Sequence, residues 1–139
     1  MPEELRIELV KSALQAREHS YVPYSRYRVG AALMTADGKI YQGCNVENAS
    51  YGATNCAERT AFFKAVSDGE RYFKAIAIAG GPEDGEITDY AYPCGICRQV
   101  MQEFCGPEFL IIVVKNEEVF KCLTLEQLLP HGFGAAAMR

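Results

Sequence analysis

Leu110-Ile111-Ile112-Val113-Val114-Lys115-Asn116-Glu117-Glu118-Val119-Phe120-Lys121-Cys122 decides how the sheet of this chain ends. Leu110 to Val114 is its most apolar run, and it reads as a strand buried on both faces. Asn116 and Glu117 are turn residues, and Val119 to Cys122 reads as a returning strand. A parallel crossover takes a dozen or more residues, and the gap between Val114 and Val119 is far shorter. The pair is therefore predicted to be antiparallel.

Outward from that pair, strand and helix patterns alternate. Pro93 to Phe104 reads as a helix with proline in its first turn, where a missing N–H costs nothing. Ala75 to Ala79 is a buried-strand run closed by Gly80-Gly81-Pro82. Cys56 to Val66 has helical spacing, with Ala57, Ala61 and Ala65 on one line. Val29 to Met34 and Ile40 to Val46 flank Ala36-Asp37-Gly38-Lys39, whose Asp-Gly pair signals a hairpin. Glu3 to Arg17 is an amphipathic helix, with Leu5, Leu9 and Ala13 at four-residue steps. Downstream, Thr124 and Gln127 fit a capping box that opens a helix from Leu125 to Leu129, stopped by Pro130. This order predicts an α/β fold: a three-layer α/β/α sandwich around one mixed five-stranded sheet. A hairpin begins the sheet, middle strands joined through helices run parallel, and the antiparallel pair closes it. At 139 residues the chain is expected to form a single domain over 1–139.

A net charge of −4 without a Lys/Arg run argues against nucleic acid as partner. No apolar run is long enough to span a membrane, so no membrane partner is expected. The charged, periodic start is unlike a signal peptide, and a cytoplasmic protein is expected. Thiols stay reduced there, so the six cysteines are read first as metal ligands, nucleophiles or small core residues.

Two segments stand out: Thr54-Asn55-Cys56-Ala57-Glu58-Arg59 and Pro93-Cys94-Gly95-Ile96-Cys97-Arg98-Gln99. Each puts cysteine at a predicted helix start, where partial positive charge and free N–H groups favour thiolate. Cys94 and Cys97, at i and i+3, can face one point, and Cys56 arrives from a second helix start. Three thiolates bind one zinc ion tetrahedrally and leave the fourth position open, as a catalytic site requires. Glu58 lies about 200° around a regular helix from Cys56. Both can reach the metal region only if Cys56 sits at or before the first turn. Glu58 then stands beside the open position rather than on the metal. Arg59 and Arg98 are placed to donate hydrogen bonds to the thiolates and offset their charge. Cys44, Cys105 and Cys122 read as core or strand residues, and His19 and His131 as surface residues. A fourth ligand from Cys44, Cys105, Cys122 or His131 would make the site structural, and a Cys94–Cys97 disulfide would make it a redox domain.

Cys56-Ala57-Glu58 with Pro93-Cys94-Gly95-Ile96-Cys97 matches the three-cysteine signature of the zinc deaminases. With Pro23-Tyr24-Ser25, Val29-Gly30-Ala31-Ala32-Leu33, Asn45-Val46-Glu47-Asn48-Ala49 and Leu128-Leu129-Pro130 followed by Phe133, the chain resembles the small cytidine deaminases over nearly its whole length. The resemblance implies hydrolytic deamination of free cytidine and 2′-deoxycytidine in pyrimidine salvage. It implies zinc on Cys56, Cys94 and Cys97, Glu58 as proton shuttle, and Ala57 against the substrate. It assigns Asn45 and Glu47 to the ribose hydroxyl, and puts Tyr27 where the family usually stacks a phenylalanine on the pyrimidine. It also implies a homotetramer with shared sites, Ala49, Tyr51 and Phe133 coming from neighbouring subunits. Related zinc deaminases, acting on a nucleotide, an aminonucleoside antibiotic or a base within nucleic acid, are the alternatives.

Overall fold

The structure, a computed structural model, describes residues 1–138. Its elements follow the predicted order: α1 (Glu3–Ala16), β1 (Tyr27–Thr35), β2 (Ile40–Cys44), α2 (Ala57–Ser67), β3 (Phe73–Pro82), α3 (Gly95–Phe104), β4 (Leu110–Val114), β5 (Phe120–Thr124) and α4 (Leu125–Leu128). One mixed sheet has the order β2-β1-β3-β4-β5. β4 and β5 are antiparallel, with Ile112 opposite Cys122. Their turn is fixed by Asn116, whose Oδ1 accepts from the N–H groups of Glu118 and Val119 at 2.8 and 2.9 Å. β3 and β4, joined through α3, are parallel neighbours. β2 and β3, joined through α2, also run the same way, but β1 lies between them and is antiparallel to both.

The apolar pattern explains the layers. In β3 and β4 successive residues point to opposite faces. Ala75, Ala77, Ala79, Ile112 and Val114 pack under Leu9, Val10 and Ala13 of α1. Ile76, Ile78, Ile111 and Val113 pack on the other face against Ala61 and Phe62 of α2 and Met101 of α3. The small residues on the first face let α1 lie close, and the large ones on the second fill the space beneath two helices. α2 sits tightly on β2: a Cβ added to Gly43 would stand 2.4 Å from the Ala57 carbonyl oxygen. The predicted capping box is present, Thr124 and Gln127 exchanging bonds at the start of α4.

Three of the boundaries that differ from expectation bear on the site. β3 continues through Gly80 and Gly81, which pair with Val29 and Arg28 of β1. These glycines are there for space rather than for a turn. A Cβ on Gly80 would come within 2.8 Å of Ala91 Cβ and 3.1 Å of the Tyr27 ring, and one on Gly81 within 2.9 Å of Ile87. α3 begins at Gly95 with Cys94 as its N-cap, so Pro93 lies before the helix rather than in its first turn. β2 ends at Cys44, and Val46 instead forms isolated bridges to Tyr21 and Asn55.

The short link 68–72 turns α2 back into β3, so α2 runs against β3 and its N-terminus lies at the C-terminal end of that strand. α3 starts from the same end after the 83–94 connection. Open α/β sheets gather ligands at the C-terminal ends of their strands, and two helix starts converge there.

Candidate metal centre and substrate cleft

Cys56 is the N-cap of α2 and Cys94 the N-cap of α3, both with extended backbone, so each thiol leaves its helix end-on. Cys97, one turn into α3, is buried. The three sulfurs lie within 4.8 Å of one another. Cys56 and Cys94 are 3.7 Å apart, and Cys94 and Cys97 are 3.4 Å apart. Tetrahedral zinc with Zn–S of about 2.3 Å needs sulfurs about 3.8 Å apart, so the cluster is close to the required size. No fourth His, Cys, Asp or Glu joins it among the described residues. Cys44, Cys105 and Cys122 are free thiols elsewhere, and His19 and His131 are exposed.

The electrostatics favour a thiolate at Cys56. Cys56 is pulled down to about 5, first by a hydrogen bond from the Cys97 thiol and then by Arg59. Cys97 is pushed up, chiefly as that bond's donor and by burial. The pair thus already holds one thiolate under a guanidinium. Glu58, only 4% exposed, is outside the sulfur cluster and next to it. Burial pushes its carboxyl up to about 7, and the Cys56 charge adds to that shift. A buried carboxyl that titrates near neutrality beside a metal site is suited to carrying protons.

The two arginines differ. Arg59 donates Nη2 to Cys56 Sγ at 3.3 Å, as expected. Arg98 does not reach a thiol: its Nε donates to the Pro93 carbonyl at 2.8 Å and its Nη1 to the Leu128 carbonyl at 2.6 Å. One residue further into its helix than Arg59, it is rotated about 100° away from the sulfurs. It ties the start of α3 to the C-terminal end of α4.

The sulfurs open into a cleft of about 260 Å³, which Tyr27, Asn45, Cys56, Ala57, Glu58 and Cys94 help to line. Asn45 is held on both sides of its amide. Its Oδ1 accepts from Val29 N–H and its Nδ2 donates to the Tyr27 carbonyl, both at 2.9 Å.

A family model described as the cytidine and deoxycytidylate deaminase zinc-binding region matches residues 3–113. The chain belongs to the cytidine and deoxycytidylate deaminase family. A cytidine deaminase of Sporosarcina psychrophila is 49% identical to it, over 91% of this chain and 89% of the relative. The crystal structure of cytidine deaminase from Burkholderia pseudomallei matches with a TM-score of 0.84 and 44% identity, covering 96% of this chain and 100% of the other. A blasticidin-S deaminase of Bacillus cereus is 30% identical over 89% of each chain. Zinc is the metal of this deaminase family, and Cys56, Cys94 and Cys97 are positioned to bind one metal ion.

Other residues of this cytidine deaminase relative fall outside the cleft. Glu47 lines an adjoining groove of about 360 Å³ with Tyr24, Ser25 and Tyr51, and Thr54 borders both. Its Oε1 accepts from the N–H groups of Tyr24 and Ser25 at 3.0 and 3.1 Å. The Ser25 side chain, and then these two backbone bonds, hold its carboxyl below the usual carboxylate range. Ala49 is exposed, Tyr51 is 79% exposed and Phe133 is 61% exposed. Ala49 and Phe133 do not line this chain's own cleft.

Sequence reasoning missed Thr54, Asn55, Ala91 and Tyr92 on the cleft wall. Asn55 Nδ2 donates to Thr60 Oγ1 at 3.2 Å, and that hydroxyl donates to the Cys56 carbonyl at 3.1 Å, bracing the ligand segment. An Asn just before the N-cap and a Thr one turn inside the helix were the available signal. The 83–92 loop carried none, because what seats it is the space that Gly80 and Gly81 leave in the preceding strand.

Proposed function

We propose that the chain hydrolyses the C4 amino group of free cytidine and 2′-deoxycytidine, giving uridine or 2′-deoxyuridine and ammonia, with one zinc ion on Cys56, Cys94 and Cys97. The observation that carries this reading is Glu58: a buried carboxyl near pH 7, beside three converging thiols and at the wall of an open cleft. Zinc, when bound, supplies a Lewis acid that brings the pKa of water toward neutrality. Glu58 takes a proton from the attacking water and delivers it to N3 of the pyrimidine, then takes the remaining proton of the added hydroxyl and passes it to the departing amine. Such transfers are typically worth 10²–10⁴-fold. Arg59, bonded to Cys56, offsets the surplus charge of three thiolates.

The sugar falls to Asn45 and Glu47. Asn45 keeps a second N–H and a second lone pair free after its two backbone bonds, and Glu47 keeps Oε2. Tyr27 offers a ring face to the pyrimidine. Exposed Tyr51 and Phe133, with Ala49, fit a homotetramer in which neighbours complete one another's clefts. The chain acts in the cytoplasm as a single catalytic domain. Sedimentation of the purified protein tests the assembly, and a monomer would refute it.

The relative named blasticidin-S deaminase supports a second reading, an aminonucleoside antibiotic as substrate. One experiment separates them: the ultraviolet change on mixing zinc-loaded protein with cytidine, cytidine monophosphate, blasticidin S or a cytosine-containing oligonucleotide. Turnover of cytidine alone is expected. Turnover of the antibiotic without cytidine would overturn the ribose assignments.

A further inference from the structure

We propose that Tyr92 limits the size of the amino substituent the cleft accepts, and that Lys121 is the positioning residue that holds Tyr92 in place. The inference deepens the deamination reading and rests on it. Only Pro93 separates Tyr92 from Cys94, and both line the cleft. Carbon 4 of the pyrimidine must approach the metal carried by Cys94. The wall nearest that sulfur therefore bounds whatever is attached at C4.

Tyr92 is not a loose loop residue. The connection that carries it is seated on β3 by Gly80 and Gly81, which leave room for Ala91 and Ile87. Lys121 of β5 donates its Nζ to the Tyr92 hydroxyl at 3.1 Å. The same ammonium lies 5.7 Å from the ring centres of both Tyr90 and Tyr92. Lys115, just after β4, sits over the Tyr90 ring at 4.7 Å. The two tyrosines meet edge to face, with centroids 6.4 Å apart. Two lysines and two tyrosines thus clamp the end of the loop onto β4 and β5. Tyr92 lines the cleft while its hydroxyl is held by Lys121.

The substrate class that reads this wall is cytidine alkylated on the exocyclic nitrogen. Its hydrolysis balances as for cytidine. Water adds its oxygen to C4, the C4–N bond breaks, the amine leaves with the proton, and the products are uridine and methylamine from N4-methylcytidine. The experiment compares kcat/KM for N4-methylcytidine and cytidine in the zinc-loaded protein and in Tyr92→Ser, Tyr92→Phe and Lys121→Met, with zinc content measured for each. One methyl group in a close-fitting pocket is worth roughly tenfold or more. Tyr92→Ser is expected to raise the ratio of N4-methylcytidine to cytidine by about that factor. Tyr92→Phe and Lys121→Met each cut the same hydrogen bond. They are expected to raise the ratio by a similar, smaller amount, and combining them to add nothing. A merely structural role would lower both substrates together and leave the ratio unmoved. An unmoved ratio in all three variants, with cytidine turnover intact, overturns the proposal alone. No cytidine turnover in the unmodified protein overturns the reaction and this proposal with it. If Tyr92→Ser does not fold, the two tether variants decide the outcome by the same ratio.

Discussion

The starts of α2 and α3 look alike in the sequence and are used differently. Each begins with a cysteine N-cap, and each carries an arginine nearby. In α2 the second residue after the cap is Glu58, buried beside the sulfurs, and the third is Arg59, bonded to Cys56. In α3 the second is Ile96, 61% exposed, and the third is Cys97, itself part of the sulfur cluster. The third position of each helix thus faces the metal site. In one helix it supplies the compensating cation, and in the other the third ligand. Arg98 comes one residue later and is left to tie backbone carbonyls. The chemistry of an arginine beside a ligand is decided by its place in the first turn, not by its nearness in sequence.

The largest effect that could break this comparison lies in the ligands. Cys94→Ala is expected to lose zinc and to lower the melting temperature sharply, because metal binding and folding are coupled. A full zinc complement with an unchanged melting curve would mean that the two helix starts do not share a metal. The arginines sharpen the contrast. Arg59→Ala is expected to weaken zinc affinity by roughly 10–100-fold with a modest change in stability. Arg98→Ala leaves two carbonyls without their donor and is expected to cost about 1–3 kcal/mol in denaturant unfolding with zinc affinity retained. Equal effects of both variants in a zinc competition assay would erase the difference. Gly43→Ala forces the α2 start away from β2 and is expected to cost about 1–3 kcal/mol by overpacking, read in the same unfolding experiment. The smallest effect concerns a thiol outside both helix starts. Burial pushes Cys105 up to about 12, and Glu108 adds to the shift. It is therefore protonated throughout pH 7–9, and its alkylation, followed by mass spectrometry, is expected to be slow whether or not a chelator is present. Removing zinc should instead unmask Cys56, Cys94 and Cys97 as a group.

Much of this was legible in the sequence. The short gap between Val114 and Val119 forced the antiparallel pairing of β4 and β5, and the Thr124–Gln127 capping box is present as read. The end-on geometry of Cys56 followed from requiring two residues nearly opposite on a helix to serve one site. The errors have a common cause: a local signal met a tertiary partner. Gly80 and Gly81 looked like a strand end, but they are spaces for the Tyr27 ring, distant in sequence, and for Ala91 and Ile87 of the loop that follows. Arg98 looked like a partner for the thiolates because the pattern shows nearness and not helical phase. Tyr92 could not be placed at all, since its tether, Lys121, lies in a strand at the sheet's edge.

The central claim is that Glu58 moves protons beside the metal without binding it. Zinc content and cytidine turnover of Glu58→Gln, measured side by side with the unmodified protein, test it most directly. One zinc per chain with turnover reduced by at least about 10²-fold is predicted. Loss of the zinc, or turnover close to that of the unmodified protein, would contradict the claim.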